Sequence, residues 1–286
     1  MNSRVLAEGL HFGEGPRWHH GRLWFSDFYD HAVKTVGPDG SVDTRLVLDD
    51  QPSGLGWLPD GTLLVVAMHS RSVLRFDGED VVVHARLDDV ATFHCNDMTV
   101  DAAGRAYVGN FGFDLDAAIT GGRFAAALAE YEGATLAMID QHGTVHAVAS
   151  GMRFPNGMVI TPDGGTLVVA ETLGRRLTAF DIGVDGTLTN QRVWAELPGT
   201  APDGICLDAD GAIWVADASS SRCLRVAQGG EILAEVTTSQ PCYACMLGGT
   251  TLYMLTAESS LPAIASARRT GRVEVFEAPA AGAGRP

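Results

Sequence analysis

Apolar residues alternate along this chain over strand-length runs broken by DG-type turns, and only a short Ala-rich stretch at 123–130 carries a helical period. One phrase recurs: a small turn-like pair, an alternating strand, a tight turn, a second apolar strand and an acidic or polar end. It reads PNGMVITPDGGTLVVAE at 155–171, PDGICLDADGAIWVAD at 202–217, CNDMTVDAAGRAYVGN at 95–110 and PSGLGWLPDGTLLVVAM at 52–68. Degenerate copies are GEGPRWHHGRLWFSD at 13–27 and CYACMLGGTTLYMLTAE at 242–258. Aligned on their second residue, the six copies put Glu14, Ser53, Asn96, Asn156, Asp203 and Tyr243 in one column, at intervals of 39, 43, 60, 47 and 40.

Repeats near 40 residues, each with four short strands, describe propeller blades. Pieces such as SVLRFDG, ATLAMID, RLTAFDI and RCLRVAQ supply third strands, and TVHAVAS and EILAEVT fourth strands. One blade cannot bury both faces, so blades stack around an axis and the ring must close. RVEVFEA at 272–278 and SRVLAEG at 3–9 are both strand-like, so the N-terminal strand is expected to complete the last blade. The fold class predicted is all-β: a single six-bladed β-propeller domain over 1–286, with a central metal site. The long 60-residue interval places its excess in 110–133, read as a lid over the channel mouth in preference to a solvent-exposed excursion.

Composition narrows the class. Hydrophobic content of 46% suffices for a core, and 34 Gly with 12 Pro suit many tight turns. A net charge of −15 argues against nucleic acid and anionic membrane as partners, because both need a basic face. Apolar runs such as 62–68 and 166–170 are too short to span a bilayer. MNSRVLAEGLHF lacks the apolar core and cleavage site of a signal peptide, and five cysteines (Cys95, Cys206, Cys223, Cys242, Cys245) suit free thiols. A cytoplasmic monomer or weak homo-oligomer is expected.

In a propeller the aligned column forms a ring at one end of the channel. Burying Glu, Asp and two Asn together costs several kcal/mol each, of order, unless compensated. A shared cation removes that cost, and oxygen donors suit one divalent metal ion: calcium, magnesium or manganese, with zinc or iron open. The alternative is a hydrated polar channel whose side chains bond to one another and to water.

FGEGP at 12–16, ND at 96–97, FPNGM at 154–158 and PDGI at 202–205 together resemble the gluconolactonase/regucalcin (senescence marker protein) family, in the same order over essentially the whole chain. The resemblance implies a six-bladed propeller with a divalent metal held by Glu14 from GEGP, Asn156 from PNG and Asp203 from PDG. It implies further that Asn96 lies beside the metal and contacts substrate or a metal-bound water. Members acting on sugar lactones carry Arg two residues before the ND asparagine; here that position is His94, shorter and often neutral, which points away from gluconolactone toward a less polar or differently shaped lactone. The substrate-facing set is therefore His94, Asn96, Asp97 and Tyr243.

The reaction expected is opening of a small-molecule lactone by a metal-activated water. Asp203 is assigned as the general base, as the resemblance suggests, with Asp97 as the alternative. A phosphotriesterase of the same architecture and a non-catalytic calcium- or ligand-binding propeller are the competing readings. Cys242-x-x-Cys245 lacks both a βαβ context and a second CxxC, so it reads as buried packing. His19 and His20 lie at a predicted turn and read as solvated. Asp27, Asn110, Glu171, Asp217 and Glu258 form a second column at the ends of second strands, with a structural role expected. Trp18, Trp24, Trp57 and Trp214 are expected to pack between blades.

Overall fold

A computed structural model of the chain describes residues 1–283. Among these described residues twenty-four strands form six four-stranded antiparallel sheets, a six-bladed β-propeller. The first strands of blades 1 to 6 are Gly13–His19, Pro52–Trp57, Cys95–Val100, Pro155–Ile160, Pro202–Leu207 and Cys242–Gly248. Each neighbours the first strand of the next blade, and that of blade 6 meets that of blade 1, so these six strands line the channel. They are buried almost throughout, whereas the fourth strands, such as Val42–Val47, are largely exposed.

Packing from both sides explains the composition of the intermediate strands. Leu63–Ala67 reads LLVVA and is buried at every position, because one face of its blade meets the blade before and the other the blade after. Leu64, Val66 and Val73 of blade 2 pack with Met98, Val108 and Ile139 of blade 3. Trp24 meets Trp57 edge-on across blades 1 and 2 (5.5 Å), Trp18 stacks on Tyr253 of blade 6 (5.4 Å), and Trp214 is fully buried. His19 is not simply solvated: it stacks on Trp57 at 3.9 Å, while His20 is exposed at the turn.

The ring closes as expected. Arg4–Leu10 pairs antiparallel with Gly271–Glu277, so the first strand of the chain is the outer strand of blade 6. The interior thiols are all free and buried. The second column is structural. The Asp27 carboxylate accepts the Phe12 N–H (2.9 Å) and the Lys34 ammonium (2.7 Å). Glu171 accepts the Arg153 N–H and the Arg176 guanidinium, and Asp217 the Ala201 N–H and the Arg222 guanidinium. Each ties the loop entering its blade to the end of the second strand. Glu258 departs from the pattern: it lies beyond the strand end at Thr256 and pairs on the surface with Arg268. Its place is taken by buried Glu274, which accepts from Thr256, Ser239 and Ser3.

Channel strands approach one another unusually closely. The residue after the ring position is Gly15, Gly54, Asp97, Gly157, Gly204 or Ala244. A Cβ on Gly54 would lie 2.3 Å from the Met98 nitrogen, and one on Gly157 2.5 Å from the Ile205 nitrogen, so only hydrogen fits there.

Two outcomes are expected. Gly54→Ala must push two channel strands apart and should destabilise by about 1–3 kcal/mol in urea titration. Deleting residues 1–10 uncovers the edge of Gly271–Glu277 and should lower the thermal midpoint and produce aggregates by light scattering.

Candidate functional site

Each ring residue is the second of its channel strand, and the strand register slips across it in five blades and just after it, at Glu14, in blade 1. Such bulges bend the strand and re-aim the side chain. All six side chains of the predicted column thus gather at one end of the channel, each at most 7% exposed. Hydrogen bonds run round part of the ring. The Ser53 hydroxyl donates to Asn96 Oδ1 (3.3 Å), Asn96 Nδ2 to Asn156 Oδ1 (3.0 Å), Asn156 Nδ2 to the Thr172 hydroxyl (3.2 Å), and that hydroxyl to the Pro202 carbonyl (2.7 Å).

Glu14 and Asp97 sit outside this chain of bonds, and Asp203 meets it only at Asn156, whose side chain favours the ionised carboxylate. Glu14 accepts only the neighbouring Gly15 N–H, and Asp203 Oδ1 and Asp97 Oδ1 are buried without a partner. Burial, and then repulsion from Asp203 and Asp97, pushes the Glu14 carboxyl well above its ordinary range. Burial followed by Asp97 does the same to Asp203. Asp97 is raised by burial too, against the opposing pull of Arg17.

Glu14, Asn96, Asn156, Asp203, Tyr243 and His94 open into one cavity of about 350 Å³. Ser53 and Asp97 lie behind that lining. Asp97 therefore does not share the cavity with the other predicted substrate contacts. Burial and then neighbouring His69 hold His94 below its usual pKa, so its imidazole is neutral at pH 7. Burial raises the Tyr243 phenol to about 12, leaving it a hydrogen-bond donor at neutral pH.

The 110–133 segment forms two short helices, α1 (Leu115–Thr120) and α2 (Phe124–Glu130). Phe111, Leu115 and Asp116 from it line the cavity. At its far end the Tyr131 hydroxyl accepts the Phe154 N–H (3.1 Å), fixing a cavity-lining phenylalanine whose φ of 62° is rare for an aromatic residue. A second insertion, holding α3 (Pro262–Ala265), brings Ser260 and Pro262 to the same mouth. The opposite mouth is narrow. There residues 281–283 dock, with Ala209 N–H donating to the Ala281 carbonyl and Ala283 N–H to the Leu207 carbonyl.

One charged residue escaped the sequence reading. Arg17 is 3% exposed and reaches from blade 1 to blade 3, donating to the Met98 carbonyl and to Pro16 (2.7 Å), while its Nε has no partner. It is a buried cation facing Asp97, which opposes the lowering of its pKa by burial. The signal was present: counterparts of Arg17 in the other channel strands are Gly56, Thr99, Val159, Cys206 and Met246, none of them charged.

Among the described residues, no group of three or more His, Cys, Asp or Glu is arranged to hold a metal ion. The predicted trio contains two carboxylates and one carboxamide, so it stands on its oxygen atoms and on the unpartnered Asp203 Oδ1. That donor set fits a hard divalent cation.

Residues 12–258 match the SMP-30/Gluconolactonase/LRE-like region. Pentonolactonase XacC of Haloferax volcanii is 30% identical over 219 residues, covering 75% of this chain and 69% of that protein. Regucalcin of Oryctolagus cuniculus is 25% identical over 228 residues, covering 78% and 73%. In fold, the chain is similar to the calcium-binding protein regucalcin from Agrobacterium tumefaciens, with a TM-score of 0.77 and 21% identity over 99% of this chain and 95% of that one.

Arg17 offers the sharpest test of the buried electrostatics. Arg17→Met leaves Asp97 without its buried counter-charge and should cost about 3–5 kcal/mol at pH 8. The folded pKa of Asp97 then rises further above its unfolded value. The folded state binds the extra protons in that window, so stability falls as pH rises through it. The deficit should therefore shrink in urea titrations at pH 5.5, and Arg17→Lys should recover part of it.

Proposed function

Taking as premise that the chain belongs to the SMP-30/gluconolactonase/LRE-like family, we propose that it is a lactonase whose hydrolysis of a small cyclic ester depends on one divalent cation at Glu14, Asn156 and Asp203. The observation carrying this reading is the unpartnered, buried Asp203 Oδ1 beside Glu14 at the floor of a cavity open to solvent. Two carboxylates repelling each other in a buried place are stabilised by a cation, and a relative of this chain is named a pentonolactonase. Once bound, the cation supplies Lewis-acid polarisation of the acyl carbonyl.

The protein's own groups perform the rest. Asn156 is held by Asn96 and Thr172, so its amide keeps one orientation. Asn96, fixed from the other side by Ser53, lies where its amide can hold the ester oxygen as negative charge builds on it. Water adds to the acyl carbon and its proton passes to the Asp203 carboxylate. The ring C–O bond breaks, and that proton goes to the departing alkoxide, giving a hydroxy acid. Asp203 is preferred to Asp97 as base because it lines the cavity, while Asp97 lies behind the lining beside Arg17. Tyr243 and His94 flank the substrate as neutral hydrogen-bonding groups. The α1–α2 segment acts as a lid, through Leu115 and Asp116.

The test strips the purified protein with EDTA, restores calcium, magnesium, manganese, zinc or iron singly, and assays sugar, γ- and δ-lactones. Cation-restored hydrolysis is expected, with Asp203→Asn lowering kcat by about 100-fold or more. The cation should also raise the thermal midpoint. That gain should fade as pH drops from 8 to 5.5, because protons compete for Glu14 and Asp203, whose proton affinity burial raises. Cation binding without turnover of any lactone would leave a binding protein and sink the lactonase reading.

A further inference from the structure

The cavity above the ring carries information about the substrate that the ring does not. On one side Phe12 packs edge-on to Tyr243 (4.7 Å) and against Phe28 (5.4 Å), with Tyr29 beside them. Across the mouth Phe111 lies 4.7 Å from Phe154, and His94 closes that wall next to Phe111. Met68, Leu115 and Pro262 add further apolar surface.

Charge points the same way. Among the described residues no Lys or Arg lines this cavity, and its charged lining groups are all acidic: Glu14, Asp203 and Asp116. Polar side chains share the lining, Gln51, His69, Thr172 and Ser260 among them, and part of their hydrogen-bonding capacity is already engaged. The Tyr29 hydroxyl already donates to the Ser260 carbonyl (3.1 Å), and the Thr172 hydroxyl to the Pro202 carbonyl. A polyhydroxylated ring would set any hydroxyl turned toward these walls against aromatic faces. Each buried without a partner weakens binding by roughly tenfold. Flat apolar groups gain from the same faces. A volume near 350 Å³ is in the range that accepts a ring together with a substituent.

We propose that this site selects an uncharged lactone bearing a flat apolar substituent, such as a fused aromatic ring, over polyhydroxylated sugar lactones and anionic esters. The inference rests on the lactonase reading for the word lactone, but its carrier is the double aromatic wall. The two can fail separately. Binding is measured by calorimetry on the full chain with a divalent cation present, using non-hydrolysable lactams: dihydroquinolinone for the aromatic class and gluconolactam for the polyol class. Turnover is measured in parallel on dihydrocoumarin and gluconolactone.

Dihydroquinolinone should bind at least about 100-fold more tightly than gluconolactam, and kcat/KM should favour dihydrocoumarin by a similar factor. Phe111→Ser should weaken the aromatic lactam by roughly tenfold while leaving the polyol lactam nearly unchanged. His94→Arg, which adds a forked cationic donor, should narrow the gap by roughly tenfold. Equal or tighter binding of gluconolactam overturns the proposal, as does failure of both lactams to bind. Aromatic preference in binding with no lactone turned over would leave the selectivity standing and remove the lactonase reading.

Discussion

Six strands crowd around one axis, and every other feature of the site follows from how closely they approach. At Gly54 and Gly157 the adjoining backbone occupies the place of a side chain, so strand meets strand directly. Contact that close leaves no room for a conventional apolar core on the axis itself. The apolar packing moves outward, between blades, and the inner strands carry small or polar residues. The register slip at each ring residue turns the second side chain of every channel strand toward the same mouth. A polar ring is thus a geometric product of the architecture, and its chemistry is set by six independent choices of residue.

Those choices are costly electrostatically. Glu14, Asp97 and Asp203 are buried within reach of one another's charge, and Arg17 is the buried cation set against them. Arg17 answers mainly Asp97, on the inner side of the lining. Glu14 and Asp203, on the cavity side, retain mutual repulsion, and Asp203 Oδ1, like Asp97 Oδ1, has no partner. The result divides the channel into an inner pair of opposite charge and an outer pair of like charge that gains from an added positive charge. Elsewhere the buried carboxylates Asp27, Glu171 and Asp217 are saturated by backbone N–H groups and by Lys or Arg, which marks the contrast between structural and chemically available acids.

The rim is built from different material. Two excursions, one carrying α1 and α2 and the other α3, rise from the ends of strands in blades 3 and 6 and meet over the same opening. Through Tyr131 the larger one also fixes Phe154, coupling the position of this segment to the shape of the wall. Ring and rim thus divide the work of the site. Charge and carboxamides lie at the floor, and aromatic surface lies at the entrance.

The repeat made the blades, the closing strand and the ring legible in the sequence, because strand alternation and turn spacing are local and recur six times. Even the ring column could be aligned by eye, since each member follows one residue into a channel strand. Arg17 was visible only as the charged member of an otherwise uncharged column, and its role depended on Asp97 lying opposite, 80 residues away in the chain. Glu258 was misplaced because the last blade ends its second strand at Thr256 and borrows Glu274 from the next strand, a substitution that no linear pattern records. Likewise the separation of Asp203 from Asp97, one lining the cavity and one behind it, and the aromatic walls drawn from four blades were decided by the tertiary structure alone. Local periodicity determines which strands form; which side chains share a space depends on how those strands are wound around the axis.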